Sequence, residues 1–386
     1  MIRFIELPRG TQAGISTLKA RGRPDRQQGR NAMNRTILGA VAALVLAAPA
    51  IAQPVAIAEN TDALIAAAKR EGALNLVWSE SSMGDSTVVA KHQAAFNRLF
   101  GTNVPLRFAP GVEVARFGNQ LYTEMQASQP ASSDIFVGAA AQTLPLLQRD
   151  VFRPVPWKML SHTITDAIVE GDGKALRFQT ALSGVTYNTT MMKTPPARLT
   201  DFLMPEWKGK LASTPYAAGF DILAADDFWG PERTIDFVRK LSPQLAGLIR
   251  CGDVERIATG EYAALVMDCI SNTTVEWQQR GAPVGYAVPA DGAQKRYYYL
   301  SIPKHAMHPN AAALFTVYLL SREGQKVIWD TMHTDLDSLE GSGTAKQIAE
   351  YEAKGIAFPE ISIAWWAKHT EVDKAKTEMI AILSRK

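Results

Sequence analysis

Two cysteines, a few hydroxyl clusters and a handful of carboxylates are the reactive groups of this sequence, and their spacing narrows what they can do. Cys251 and Cys269 are the only thiols. The stretch between them reads as a short helix followed by a strand, which returns the chain beside its start. In an oxidising compartment such a pair forms a disulfide, and closing a loop of about 18 residues stabilises a fold by roughly 3 kcal/mol; two buried thiols are the alternative. Two sulfurs without a paired histidine fall short of a structural zinc set. His305 and His308 flank Met307, yet with no carboxylate or third histidine beside them they read as surface or capping residues rather than metal ligands. The run Tyr297, Tyr298, Tyr299 would alternate between the two faces of a strand, which favours packing over ligation. No GxSxG elbow, HExxH, CxxC, P-loop or calcium loop is present, and Gly171-Asp172-Gly173 lacks the third glycine of a dinucleotide loop. The acid–base arrangement left to consider is a carboxylate pair, Glu80 with Asp268, which would make the protein a secreted hydrolase.

The elements that would hold these groups alternate in type. Apolar spacing predicts a helix over 61–72 ending at Gly72, a strand over 74–79, a polar turn over 80–85 and a helix over 86–100. A second strand follows over 104–109, a helix over 114–127 and a third strand over 134–138 that runs into Gly138-Ala139-Ala140. Strands alternating with helices predict a parallel, doubly wound α/β layer, in which ligands meet the carboxyl ends of the strands, here 80–84 and 138–140. A second unit has its own rhythm: extended over 178–188, strand over 210–214, helix over 231–240, strand over 263–267 and extended again over 282–289. Helices over 310–320 and beyond Ser321 close the chain. The two extended segments imply that 181–288 is inserted into a first domain made of 53–180 and 289–386, joined by a two-segment hinge.

Composition agrees with a packed, exported protein. Of 386 residues 47% are hydrophobic and 20% charged, enough core for about two domains and too much for a disordered chain. Eight of the 41 basic and two of the 38 acidic residues lie in the first 52, so beyond them the balance turns acidic, 33 against 36. Nothing there asks for nucleic acid or an anionic membrane. From Met33 the sequence reads as a signal peptide: Arg35, an apolar run over 37–48, Pro49, then Ala50-Ile51-Ala52 as the cleavage site. Residues 1–32 read as a start-site artefact or disordered. An uncleaved anchor over 36–58 is the alternative, disfavoured by Pro49 and the alanine-rich run. The expected location is the periplasm.

Several short motifs, in order, carry a family resemblance: Tyr187-Asn188, Trp207-Lys208-Gly209-Lys210, Gly260-Glu261-Tyr262, Gly281-Ala282-Pro283, and His308-Pro309-Asn310-Ala311-Ala312 followed by Leu319-Leu320-Ser321-Arg322-Glu323-Gly324-Gln325. The sequence resembles the extracellular solute-binding proteins of ABC importers, in the branch that includes periplasmic ferric-iron-binding proteins. The resemblance implies a type II periplasmic-binding-protein fold, two doubly wound α/β domains closing on a ligand, acting as a monomer that delivers a small solute to a membrane permease without catalysis or cofactor. Ferric-iron members carry an adjacent tyrosine pair after the strand that follows the Gly-Glu motif. Here Asp268-Cys269-Ile270-Ser271-Asn272-Thr273-Thr274 stands in its place, which argues against free ferric iron as the ligand and leaves an iron-binding role as an alternative. In such a cleft the candidate contacts are Ser79, Glu80, Ser81, Ser82, Gly138 and Ala139 from the first domain. Tyr187 would come from the first crossing, and Thr214, Tyr216, Asp268, Ser271 and Asn272 from the second domain. Helix starts facing the cleft favour an organic acid or phosphorylated compound, whereas an inward Asp268 would favour an amine.

Overall fold

The computed structural model describes residues 56–111 and 113–385; the expected signal peptide and the stretch before it lie outside them. In chain order the first layer contributes α1 (Thr61–Glu71), β1 (Leu74–Trp78), α2 (Glu80–Met83), α3 (Ser86–Phe100), β2 (Leu106–Pro110), α4 (Val114–Gln126), β3 (Phe136–Ala139), α5 (Ala140–Gln148), α6 (Trp157–Leu160), β4 (Val169–Glu170) and β5 (Ala175–Leu182). The chain then enters a second layer with β6 (Gly184–Asn188), β7 (Leu211–Ser213), α7 (Phe220–Leu223), α8 (Pro231–Leu241), β8 (Leu245–Leu248), α9 (Val254–Ala258), β9 (Ala264–Asp268), α10 (Asn272–Gln279) and β10 (Val284–Ala287). It returns through β11 (Lys295–Ser301), α11 (Pro309–Leu319), α12 (Arg322–Met332), α13 (Gly343–Glu352), β12 (Glu360–Ile361) and α14 (Ile363–Lys368), and ends in α15 (Glu371–Leu383).

Local chemistry sets the boundaries of these elements. Asn60 caps α1 by accepting from Ala63 N, and Gly72 stops it at φ 72° in the left-handed region. Asp85 caps α3 through Thr87 N and Val88 N, and the helix buries Val89, His92 and Phe96 along one stripe. Helix α11 is buried along its whole length, which its largely apolar, uncharged sequence permits. Phe315 and Tyr318 on it pack with Phe96 of α3 at the centre of the first core. Gly324 is required where α12 starts, because a Cβ there would sit 2.0 Å from Tyr318 O.

The second sheet runs β10-β6-β9-β7-β8; in the first, β12-β11-β5-β4 are joined by β3 on β11, and β1 pairs with β2. The first layer, expected to be parallel, is mixed, and so is the second. β1–β2, β7–β8 and β7–β9 are parallel, whereas β5 pairs antiparallel with β11 and β6 with β10. The reason is geometric: a chain that leaves one layer and later returns travels the same boundary in opposite senses. A second correction concerns the C-terminus, expected in the first domain throughout. Ala375, Met379 and Leu383 of α15 are buried in the core of the second layer with Phe220, Phe237 and Val238. The apolar face of α15 covers α8, and Lys376 bonds Asp221 at 2.8 Å. The chain therefore crosses between layers three times, the third near Lys368–Glu371.

Candidate functional site

Strand register builds one wall of a cleft between the layers. Across β11, Arg296 stands opposite Ile361 of β12 and Ala181 of β5, and Tyr298 stands opposite Ala139 of β3 and Gln179 of β5. Directly opposed residues share a sheet face. Ala139, Arg296 and Ile361 line a cavity of about 90 Å³, together with the first turn of α5 from Ala140 to Gln142. Ala139 occupies the N-cap position of α5 and supplies no capping side chain. Arg296 donates from Nη2 to Cys269 O across the cleft, while its Nε is buried without a partner among the protein atoms. Gln179, which is not itself on that lining, is 1% exposed, and among the described residues neither its amide oxygen nor its amide nitrogen has a partner.

The second layer forms the facing wall from Tyr216, Ala218, Gly219, Asp221, Ile222 and Cys269, with Trp366 of α14 and Lys376 of α15 at the side. Its backbone is constrained. Ala217 and Met267, both fully buried, hold φ 53° and 61°, a left-handed conformation unfavourable for side chains of their kind. Gly219 is held at φ 75°, and a Cβ there would meet Met267 Cε at 2.3 Å. Strained backbone of this sort persists where surrounding structure fixes it and clusters at functional sites. Cys251 and Cys269 are bonded, with Cα atoms 5.5 Å apart. The bridge ties the loop that presents Cys269 O to Arg296 to the one whose Cys251 N donates to Tyr216 Oη at 2.9 Å.

Residues 94–354 match the family described as bacterial extracellular solute-binding protein. The chain belongs to that family. Among solved structures it is similar to the substrate-binding protein of an ABC transporter from Agrobacterium tumefaciens (TM-score 0.68, 14% identity, 82% of this chain and 96% of that one). It is also similar to iron-bound HitA from Pseudomonas aeruginosa (TM-score 0.62, 15% identity, 80% and 99%) and to AfuA from Actinobacillus pleuropneumoniae with fructose-6-phosphate (TM-score 0.58, 17% identity, 81% and 97%). At these identities the likeness establishes the fold, the type II periplasmic-binding arrangement. A curated relative, an uncharacterized protein of Haemophilus influenzae, is 29% identical over 144 residues, 36% of this chain; the chain spans 41% of that protein's length.

Within this solute-binding chain the residues picked out by sequence have different fates. Ala139 and Tyr216 line the small cavity. Gly138 is covered by Phe136, whose ring lies 2.7 Å from where its Cβ would be. Glu80, Ser81 and Asn272 line a larger open groove of about 690 Å³, with Lys91, Arg280 and His333. Ser79 bonds Ser81 at 2.9 Å, Ser82 is buried and Ser271 starts α10, none of the three on the small cavity. Thr214 is buried and accepts from Ala218 N at 3.0 Å, bracing the turn. Tyr187 packs on Gly285 of β10 and lines neither space. Asp268 is fully buried and its carboxylate accepts from Thr186 Oγ1 (2.6 Å), Cys269 N (2.8 Å) and Gly252 N (3.1 Å). Burial pushes that carboxyl up to about 6.

Of the tyrosine run, Tyr297 stacks under Arg177 and Tyr299 donates to Glu170 at 2.7 Å, both buried on the far face. His308 Nδ1 lies 2.8 Å from Asp134, a scaffold contact. Sequence reading missed Arg296, Gln142, Trp366 and Lys376, all on the small cavity. The alternation that splits the tyrosine run also puts Arg296 and Tyr298 on one face, so Arg296 was findable. Lys376 was not, because nothing local says that α15 leaves the first layer.

Proposed function

We propose that this protein is the periplasmic receptor of an ABC importer, a monomer that closes on a small solute and presents it to a membrane permease without transforming it. The observation that carries this reading is a cleft lined by residues of both layers, with the Arg296 guanidinium on one wall keeping Nε unpaired among the described residues. Hinge closure about the chain crossings binds a ligand by burying it between two bodies. The bodies we propose are 53–180 with the returning segment through α14, and 181–288 with α15 riding on it. The rival reading of a hydrolase finds no support in the geometry: Asp268 is buried among protein donors, whereas Glu80 lines the outer groove, so the two share no cavity. Free ferric iron is disfavoured as cargo because two of the three adjacent phenols are packed away from the cleft and the stretch after β9 forms α10 without a tyrosine.

The test is native mass spectrometry of protein purified without refolding, followed by thermal-shift titration with whatever is released. A ligand at a hundred times its dissociation constant adds about 2.7 kcal/mol, enough to move the melting temperature clearly. Chemical turnover of that ligand would refute the receptor reading, and a stoichiometric ferric complex with a visible phenolate band would refute the exclusion of iron.

A further inference from the structure

The cleft's unpaired groups say what kind of solute would complete them, given the receptor reading above. Lys376 and Asp221 both line the small cavity but bond each other at 2.8 Å, so their charges cancel locally. Asp221 is the sole carboxylate on that lining, and it is already engaged. An amine entering here would find no free anion. Arg296 is different: one guanidinium nitrogen holds Cys269 O, and Nε, buried and unpaired, remains. Beside it the nine-residue α5 opens into the cavity with no capping side chain, so its first amides are donors without a side-chain acceptor. Guanidinium nitrogens and a helix start converging on one small space match an oxyanion.

Gln179 supplies the independent observation. It lies two places across the sheet from Ala139 in the row Ala139, Tyr298, Gln179, on the face that carries Arg296. At 1% exposure with both amide atoms unpaired, it presents one acceptor and a donor pair that none of the described residues uses. A buried amide left this way is destabilising unless something completes it. We infer that the solute is a small anion whose carboxylate or phosphate group is held by Arg296 and the start of α5, and whose hydroxyl or carbonyl groups are read by Gln179.

The experiment is calorimetric titration of the purified protein with malate, citrate, glycerol 3-phosphate, fructose 6-phosphate and inorganic phosphate, with spermidine and ferric ion as opposite-charge controls. The expected result is saturable binding of at least one anion and none of spermidine; a response confined to the carboxylates or to the phosphates assigns the head group. Arg296→Gln should weaken that anion at least tenfold, and Arg296→Lys, which keeps charge but not the forked donors, should also weaken it. Gln179→Leu separates ligand recognition from a scaffold role: it should weaken binding about tenfold and raise the melting temperature of the ligand-free protein. A Gln179→Leu protein that melts lower and binds as before overturns the assignment. So does binding of spermidine or iron in place of every anion, a result that leaves the receptor reading standing. Failure of all these probes, with no ligand released by the native protein, removes the receptor reading itself.

Discussion

The two walls of the cleft treat their polar groups in opposite ways. On the second layer the polar groups behind the cleft loop are paired inside the chain: Asp268 takes three donors, Thr214 braces its turn, Tyr216 accepts from Cys251 N, and a disulfide fixes the loop. On the first layer Ala139 caps nothing, Gln179 has no partner and Arg296 keeps Nε unpaired. Paired polarity sets the shape of a wall, whereas unpaired polarity is available to a visitor. The contrast also explains why residue type alone was a poor guide. Asp268 and Thr214 look like ligands in sequence and serve as scaffold, while three alanines at the start of α5 line the cavity.

Acid should separate the layers most strongly. His92, in the first core, is fully enclosed with Nδ1 3.0 Å from Tyr318 Oη, and burial lowers its pKa to about 3. A histidine whose folded pKa is depressed contributes stability that is complete above about 6.5 and lost as pH falls toward 3, up to about 5 kcal/mol at 1.36 kcal/mol per unit. Denaturant unfolding across that range should show the loss, and His92→Leu should flatten it. An unchanged slope in the variant would assign the acid sensitivity elsewhere.

Reducing the disulfide comes next. Cys269→Ser should lower stability by about 2 to 4 kcal/mol and weaken solute binding several-fold, because Arg296 and Tyr216 lean on the backbone of the two bridged residues. Equal stability of the oxidised protein and the variant would show the second wall to be rigid without its staple. The smallest effect belongs to Asp268 and runs opposite to His92. Its raised pKa means that the protonated form favours the fold, so stability is greatest below about 3.8 and declines by about 2 to 3 kcal/mol as pH rises through about 6. Asp268→Asn can keep the bonds to Gly252 N and Cys269 N and should abolish that decline. A variant that still loses stability between pH 4 and 6 contradicts this assignment.

Much of the scaffold was legible because it is encoded locally. The helix over 86–100 is written in its cap and its apolar stripe, and the pairing of Cys251 with Cys269 in the returning α9–β9 unit. The motifs that carried the family resemblance are scaffold too. Gln325 bonds Phe178 O and Leu336 N to hold β5, and Asn310 bonds Glu71 and Ala58 N to anchor α1 and the chain before it. They announce the fold and say little about the solute. The site was less legible because its groups come from β11, α5, α14 and α15, which are distant in sequence and meet through register and packing that no local pattern records.

The third crossing gives the molecule a readout. Asn60 caps a helix of the first layer, while Ser384 follows a helix seated on the second, so fluorophores at these two surface positions would ride on opposite sides of the cleft. If the two bodies close on a solute as proposed, energy transfer between them would report that closure, with no engineered insertion and no contact to the binding groups.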